Sequence, residues 1–189
     1  MRIIAGKSRG VALETLPGQE TRPTLERVKE GMFSAVQFWL PGAKVLDLYA
    51  GSGQLGLEAL SRGAASCLFV DFSPKAVAVI RRNAEKAGFL EQCRVYRKSV
   101  EDFLARPLER YDLLLLDPPY QSGIFPEILF RLAPFCGENA VVLCESEAGL
   151  EMPLECAGLH REKNYRYGTV QVSRYRFSGE EEKTPTHEE

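Results

Sequence analysis

From Lys44 onward the chain alternates two hydrophobic rhythms. Short apolar runs at Lys44–Tyr49, Ser66–Asp71, Arg94–Arg97, Tyr111–Leu116 and Ala140–Glu145 have the length of buried strands and are punctuated by glycine, proline or acid. Between them, Gln54–Ser61, Pro74–Ala87, Val100–Ala105 and Ile124–Leu132 repeat apolar residues every three or four positions, as helices lying on a sheet do. Strand–helix alternation with continuously apolar strands predicts an α/β fold: a mostly parallel, Rossmann-like sheet with helices on both faces. Ligands of such sheets bind at the carboxyl ends of the strands, beside the switch point. The rhythm changes at the end. Leu159–Tyr167 and Thr169–Phe177 alternate polar with apolar and meet at Gly168, which predicts an antiparallel hairpin.

Ahead of this core, RIIA and VAL flank Gly6-Lys7-Ser8-Arg9-Gly10, a pattern that predicts a β-hairpin presenting Lys7 and Arg9 to solvent. An amphipathic helix follows, with Thr24 as N-cap and Leu25, Val28, Met32, Phe33, Val36 and Leu40 on one face, until Pro41-Gly42 ends it. The organisation read from these patterns is a basic arm over 1–23, a catalytic domain over 24–177 and an acidic tail over 178–189. The tail has no large apolar residue and is expected to be disordered.

Composition narrows the classes. With 189 residues, 44% of them hydrophobic, the chain can bury one good core. The net charge of −2 is misleading, because Gly179–Glu189 carries five Glu against Lys183, leaving +2 for residues 1–178. Met1–Gly10 carries Arg2, Lys7 and Arg9 without an acid, which suits contact with a polyanion. The five cysteines are scattered, with no Cys-x-x-Cys pair, and read as small hydrophobes in a reducing compartment. The two histidines are far apart, so no metal site is expected. No apolar stretch suggests a signal peptide or a membrane span, and a cytoplasmic protein is expected.

Three strand ends carry candidate chemistry. In DLYAGSGQLG, Gly51, Gly53 and Gly56 follow a strand and open a helix, the spacing of a nucleotide-cofactor turn. A dinucleotide and an adenosyl sulfonium both use such a turn. Asp47 favours the second, since a carboxylate is unwelcome beside a pyrophosphate and tolerable beside a cation. At the next end, Asp71 can accept both ribose hydroxyls of an adenosine and Phe72 can pack on its base, while Ser99 and Val100 lie where the adenine edge would be. At the third, Asp117-Pro118-Pro119-Tyr120 forms a rigid turn that frees carbonyls as acceptors. A carboxylate with a free carbonyl can take both hydrogens of an exocyclic amino group, and Tyr120 offers a face for stacking.

With these residues in hand, the chain resembles a class I S-adenosylmethionine-dependent methyltransferase with the Asp-Pro-Pro-aromatic motif of amino-group methylases. More narrowly, it is similar to the bacterial 16S rRNA (guanine(966)-N(2))-methyltransferase (RsmD) family. The likeness runs to about Phe177 and includes MRIIAGKSRG, TRPTLERVKEGMF, DLYAGSGQLGLEALSRGA, DPPY, CESE and YGTVQVSRYRF. It implies a seven-stranded sheet with a reversed last hairpin, an arm touching RNA through Lys7 and Arg9, and methylation of guanine N2 in 16S rRNA of the 30S subunit or an assembly intermediate. It also implies that Arg22, Thr24 and Arg27 border the pocket. Asp117 and the Pro118 carbonyl would hold the amino group, with Pro119 and Tyr120 against the base. The cofactor would meet Asp47, Tyr49, Gly51, Gly53, Asp71, Phe72, Ser99, Val100 and Asp117, and the protein is expected to be a monomer. The residues alone leave three alternatives open: an adenine-N6 or other amino-methyltransferase on RNA or DNA, a nicotinamide-dependent oxidoreductase, and a non-catalytic RNA-binding module.

Overall fold

The computed structural model describes residues 1–16, 23–119 and 123–179. Eight strands form one sheet: β1 (Lys44–Leu48), β2 (Ser66–Asp71), β3 (Cys93–Arg97), β4 (Tyr111–Leu116), β5 (Cys136–Glu147), β6 (Glu155–Cys156), β7 (Leu159–Tyr167) and β8 (Val170–Phe177). Their order is β3-β2-β1-β4-β5-β8-β7-β6. β1 to β5 run parallel, and β8 joins β5 antiparallel, followed by β7. The count is eight rather than the expected seven because the two-residue β6 pairs on the outer edge of β7. The chain reverses direction across the sheet between β1 and β4, so the ends of these central strands frame the crevice where such folds bind ligands.

Five helices cover the sheet: α1 (Pro23–Ser34), α2 (Gln54–Ser61), α3 (Pro74–Ala87), α4 (Val100–Leu104) and α5 (Phe125–Leu132). α3 shows how locally the sequence specifies them. Ser73 caps its first turn by accepting from Ala76 N–H, Pro74 supplies a preset φ, Gly88 ends it in the left-handed region, and Ala76, Val79, Ile80, Asn83, Ala84 and Ala87 form the buried stripe. One face of the sheet (Val45, Phe69, Leu113, Leu115, Val141, Leu143) packs under α1, α2 and α3, and the other (Leu46, Leu48, Val70, Leu114, Leu116, Val142) packs under α4 and α5.

Two expectations change. The first helix starts at Pro23, which places Thr24 inside its first turn rather than at the cap, and it stops at Ser34 rather than Leu40. Gln37–Trp39 then turns tightly as a 3-10 segment. The early stop is stabilised from the far end of the chain: Arg174 donates to the Ala35 carbonyl at 2.9 Å, and the guanidinium groups of Arg174 and Arg176 lie over the Trp39 ring.

The arm is a short antiparallel hairpin: the Arg2–Ala12 bridge is flanked by Ile3 N–H to the Val11 carbonyl (3.0 Å), Gly10 N–H to the Ile3 carbonyl (2.8 Å) and Leu13 N–H to the Met1 carbonyl (2.8 Å). What the sequence did not show is how its tip is held, by N–H groups that turn to α2: Ile4 and Ala5 donate to the Glu58 carboxylate (2.8 and 3.0 Å), Lys7 to the Ser61 carbonyl (2.8 Å) and Ser8 to the Ser61 hydroxyl (3.0 Å). Gly6 sits so close to this helix that an added Cβ would run into the Ser61 carbonyl. Residues 180–189, the predicted disordered tail, lie outside the described residues.

Candidate active site

The first strand end is built from beneath. Asp47, on β1, is 1% exposed and accepts from the N–H of Gly56 in α2 at 2.9 Å. That bond requires α2 to lie almost on the sheet. Gly56 permits it, because a Cβ there would strike the Phe69 ring and the Cys67 sulfur. Burial drives the Asp47 carboxyl up to about 8, against the pull of the Gly56 N–H and with help from the charges of Asp117 and Asp71. The sequence reading set Asp47 beside a cation as a carboxylate. The structure makes it the anchor under the glycine turn, through the hydrogen bond that it accepts from Gly56.

Above it the turn is held open. Tyr49 sits at φ 60, a region that costs a bulky side chain energy and that clusters at functional sites, and its hydroxyl donates to Glu101 at 3.4 Å. Gly51 N–H donates to Asp71 at 2.8 Å, and Ser73 N–H takes the other oxygen of the same carboxylate at 2.8 Å. Each Asp71 oxygen keeps a second lone pair for a hydroxyl donor. Gly53, at φ 77, leads into α2. Between the glycines, the Ser52 hydroxyl is buried without a hydrogen-bond partner among the described residues, a polar group waiting for one. Phe72, 73% exposed, stands beside Asp71 as an uncovered aromatic face. Ser99 caps α4 through Asp102 N–H, and Val100 is buried next to it.

At the end of β4, Asp117 is half-buried, Pro118 buried and Pro119 exposed. Desolvation raises the Asp117 carboxyl above the usual carboxylate range. Register aligns the chemistry: β1 Leu48 pairs with Leu116, and Leu116 pairs with Cys144 of β5, so the residues that follow, Tyr49, Asp117 and Glu145, come level across neighbouring strands. Tyr120, Arg22 and the side chain of Thr24 lie outside the described residues, and Arg27 is exposed on α1. The structure thus brings Asp47, Gly51, Gly53, Asp71 and Asp117 to one sheet edge. Lys7 and Arg9 are exposed on the docked arm, away from that edge in the chain.

The sequence reading missed residues whose roles are non-local. Glu58 is fully buried and gathers the arm's N–H groups together with Lys29 (3.2 Å) and Arg62 (2.8 Å), while Lys29 also donates to the Arg2 carbonyl at 2.7 Å. Lys29 stands in register with Met32 on the apolar stripe of α1, the one available hint that it is buried. Glu145, two residues before the end of β5, is 7% exposed, and its acid closes the apolar run Ala140–Cys144 just as Asp71 and Asp117 close theirs.

The donor and acceptor set fits an adenosyl sulfonium. The glycine turn can approach a ligand closely, Ser52 and Asp71 offer polar partners, and the acids welcome a positive charge where a pyrophosphate would be repelled. Among the described residues no group of His, Cys, Asp or Glu is placed to hold a metal ion, and no helix is long and apolar enough to cross a membrane. Fold and site together are those of a class I S-adenosylmethionine-dependent methyltransferase.

Comparison narrows the class. The model of the family described as "Conserved hypothetical protein 95" matches residues 1–176, and the chain belongs to this family, that of ribosomal RNA small subunit methyltransferase D. It is 34% identical over 169 residues to "Ribosomal RNA small subunit methyltransferase D" of Escherichia coli, covering 86% of this chain and 84% of the relative. It is 33% identical over 184 residues to "Putative rRNA methyltransferase YlbH" of Bacillus subtilis, covering 95% of this chain and 100% of the relative. Among solved structures, "Putative methyltransferase yhhF from Escherichia coli" superposes with a TM-score of 0.85 at 29% identity, covering 95% of this chain and 98% of that one.

Proposed function

We propose that the protein transfers a methyl group from S-adenosylmethionine to the exocyclic amino group N2 of a guanine in 16S rRNA, within the 30S subunit or an assembly intermediate. The observation that carries this reading is the placement of Asp117-Pro118 at the end of β4, level with the glycine turn of β1 across the paired strands. S-adenosylmethionine supplies an electrophilic methyl on a positively charged sulfur. Asp71, the Ser52 hydroxyl and the backbone of Gly51–Gly53 hold the nucleoside end, with Asp47 fixing the turn from below. The target guanine leaves its stack to enter the pocket. Asp117 and the Pro118 carbonyl accept its amino hydrogens and so aim the N2 lone pair, and Tyr120 stacks on the ring. As N2 gains the methyl it becomes positive; Asp117 stabilises that charge and takes the released proton. The names of the relatives support an rRNA substrate, and exposed Lys7 and Arg9 supply cations for its phosphates.

Incubation with labelled S-adenosylmethionine and 30S particles lacking the modification tests the reading, followed by nucleoside analysis. Label in N2-methylguanosine of 16S rRNA is expected. Label in N6-methyladenosine would replace guanine by adenine as the substrate, since an acid and a carbonyl recognise an amino group on either base.

A further inference from the structure

Glu145 lies beside the proposed amino-group acceptor and has no place in the mechanism above. It follows Cys144, which pairs with Leu116, so it stands level with Asp117 on the neighbouring strand. On β5 the alternation Val141, Leu143, Glu145 continues the face that Leu113, Leu115 and Asp117 continue on β4. It is 7% exposed, and no described residue hydrogen-bonds to its carboxyl. Burial, and then the Asp117 charge, push its carboxyl well up from the ordinary range, which marks the two acids as close neighbours. An acid drawn this far out of water is costly, and a ligand with a suitably placed donor would relieve the cost.

Resting on the function proposed above, we propose that Glu145 reads the target base: a carboxyl oxygen accepts the N1–H of the guanine whose N2 amino group Asp117 holds. On guanine these two donors are adjacent, and they meet two adjacent acids. Adenine presents an acceptor at N1 beside its amino group, so the same pair of acids leaves adenine N1 facing an acceptor. A protonated Glu145 keeps this function. Its hydroxyl can donate to Asp117 while its carbonyl oxygen accepts from N1. Asp117 and Pro118 then supply recognition of an amino group, and Glu145 supplies the choice of guanine.

The test uses the full-length protein and 30S particles reconstituted with 16S rRNA that carries guanosine or 2-aminopurine riboside at the target position. 2-Aminopurine keeps the amino group but has no N1–H. Glu145→Ala is expected to lower kcat/KM on guanosine by about ten- to a hundred-fold, the worth of a hydrogen bond to a charged group, and to change the rate on 2-aminopurine by less than about three-fold. Glu145→Gln retains a carbonyl oxygen and is expected to recover part of the guanosine rate. Calorimetric binding of S-adenosylmethionine and the thermal midpoint should stay close to wild type in both variants. An equal loss on both RNAs, or no loss on either, overturns the role of Glu145 while leaving the methyltransferase reading standing. A wild-type protein that methylates neither RNA overturns the reading of function itself.

Discussion

Removing the Glu58 carboxylate should detach the N-terminal arm and destabilise the protein at the same time. Glu58 is fully buried and accepts from Ile4 N–H, Ala5 N–H, Lys29 and Arg62. In Glu58→Ala the Lys29 ammonium, already lowered in pKa by burial, loses its counter-charge, and two backbone donors lose their acceptor. Breaking one side of a buried ion pair costs roughly 3–5 kcal/mol, a large share of the roughly 5–15 kcal/mol that holds a typical domain together. At about 2–4 °C per kcal/mol for a chain of this size, the thermal midpoint should fall by roughly 6–20 °C. Circular dichroism melts measure the fall, and limited proteolysis near Gly6–Gly10 reports release of the arm. Lys29→Met in a Glu58→Gln background removes the stranded charge and should recover about 1–3 kcal/mol relative to the sum of the single changes. A Glu58→Ala midpoint within about 2 °C of wild type would mean that the network is worth no more than a surface pair, and the account of the arm would be wrong.

Further outcomes follow from the site. Asp117→Ala should lower turnover by about a hundred- to ten-thousand-fold with the S-adenosylmethionine dissociation constant changed less than about five-fold, as single-turnover assays and calorimetry will show; equal loss of both would move Asp117 from substrate to cofactor. Asp47 is raised from its ordinary 3.8 to about 8, so the folded state keeps a proton that the unfolded chain releases. Its contribution to stability is whole below about pH 4 and is lost as pH rises toward 8, by about 1.4 kcal/mol per pH unit in between. Asp47→Asn, which can still accept from Gly56, should therefore gain on wild type as pH climbs from 5 to 8 in urea melts, and parallel curves would refute the shift. Lys7→Ala with Arg9→Ala should reduce the slope of log affinity against log salt for RNA by about 1.5, the share of two phosphate contacts, and an unchanged slope would return both residues to plain surface.

The elements that depend on local pattern were legible before any coordinates. β1, β2 and β4, the helices over Gln54–Ser61 and Pro74–Ala87, and the reversed hairpin after Leu159 all follow from the period of apolar residues and their glycine and proline boundaries. The end of α1 was not, because the partner that takes the Ala35 carbonyl is Arg174, 139 residues away. The arm's hairpin was legible, but its docking was not, for the same reason: the N–H groups of Ile4, Ala5 and Ser8 are claimed by Glu58 and Ser61 in another helix. In the site, sequence placed Asp47, Asp71 and Asp117 at strand ends and the fold brings those ends together. It could not tell that Asp47 faces down into α2. Nor could it tell that Glu145 would stand level with Asp117, which depends on the register between β4 and β5.

The central claim concerns one atom. 30S particles lacking the modification, labelled S-adenosylmethionine and the full-length protein, followed by nuclease digestion and mass analysis of 16S rRNA nucleosides, should give a single product, N2-methylguanosine, formed far more slowly with Asp117→Ala. Methyl on any other base, or on no base while S-adenosylmethionine still binds, would contradict the account.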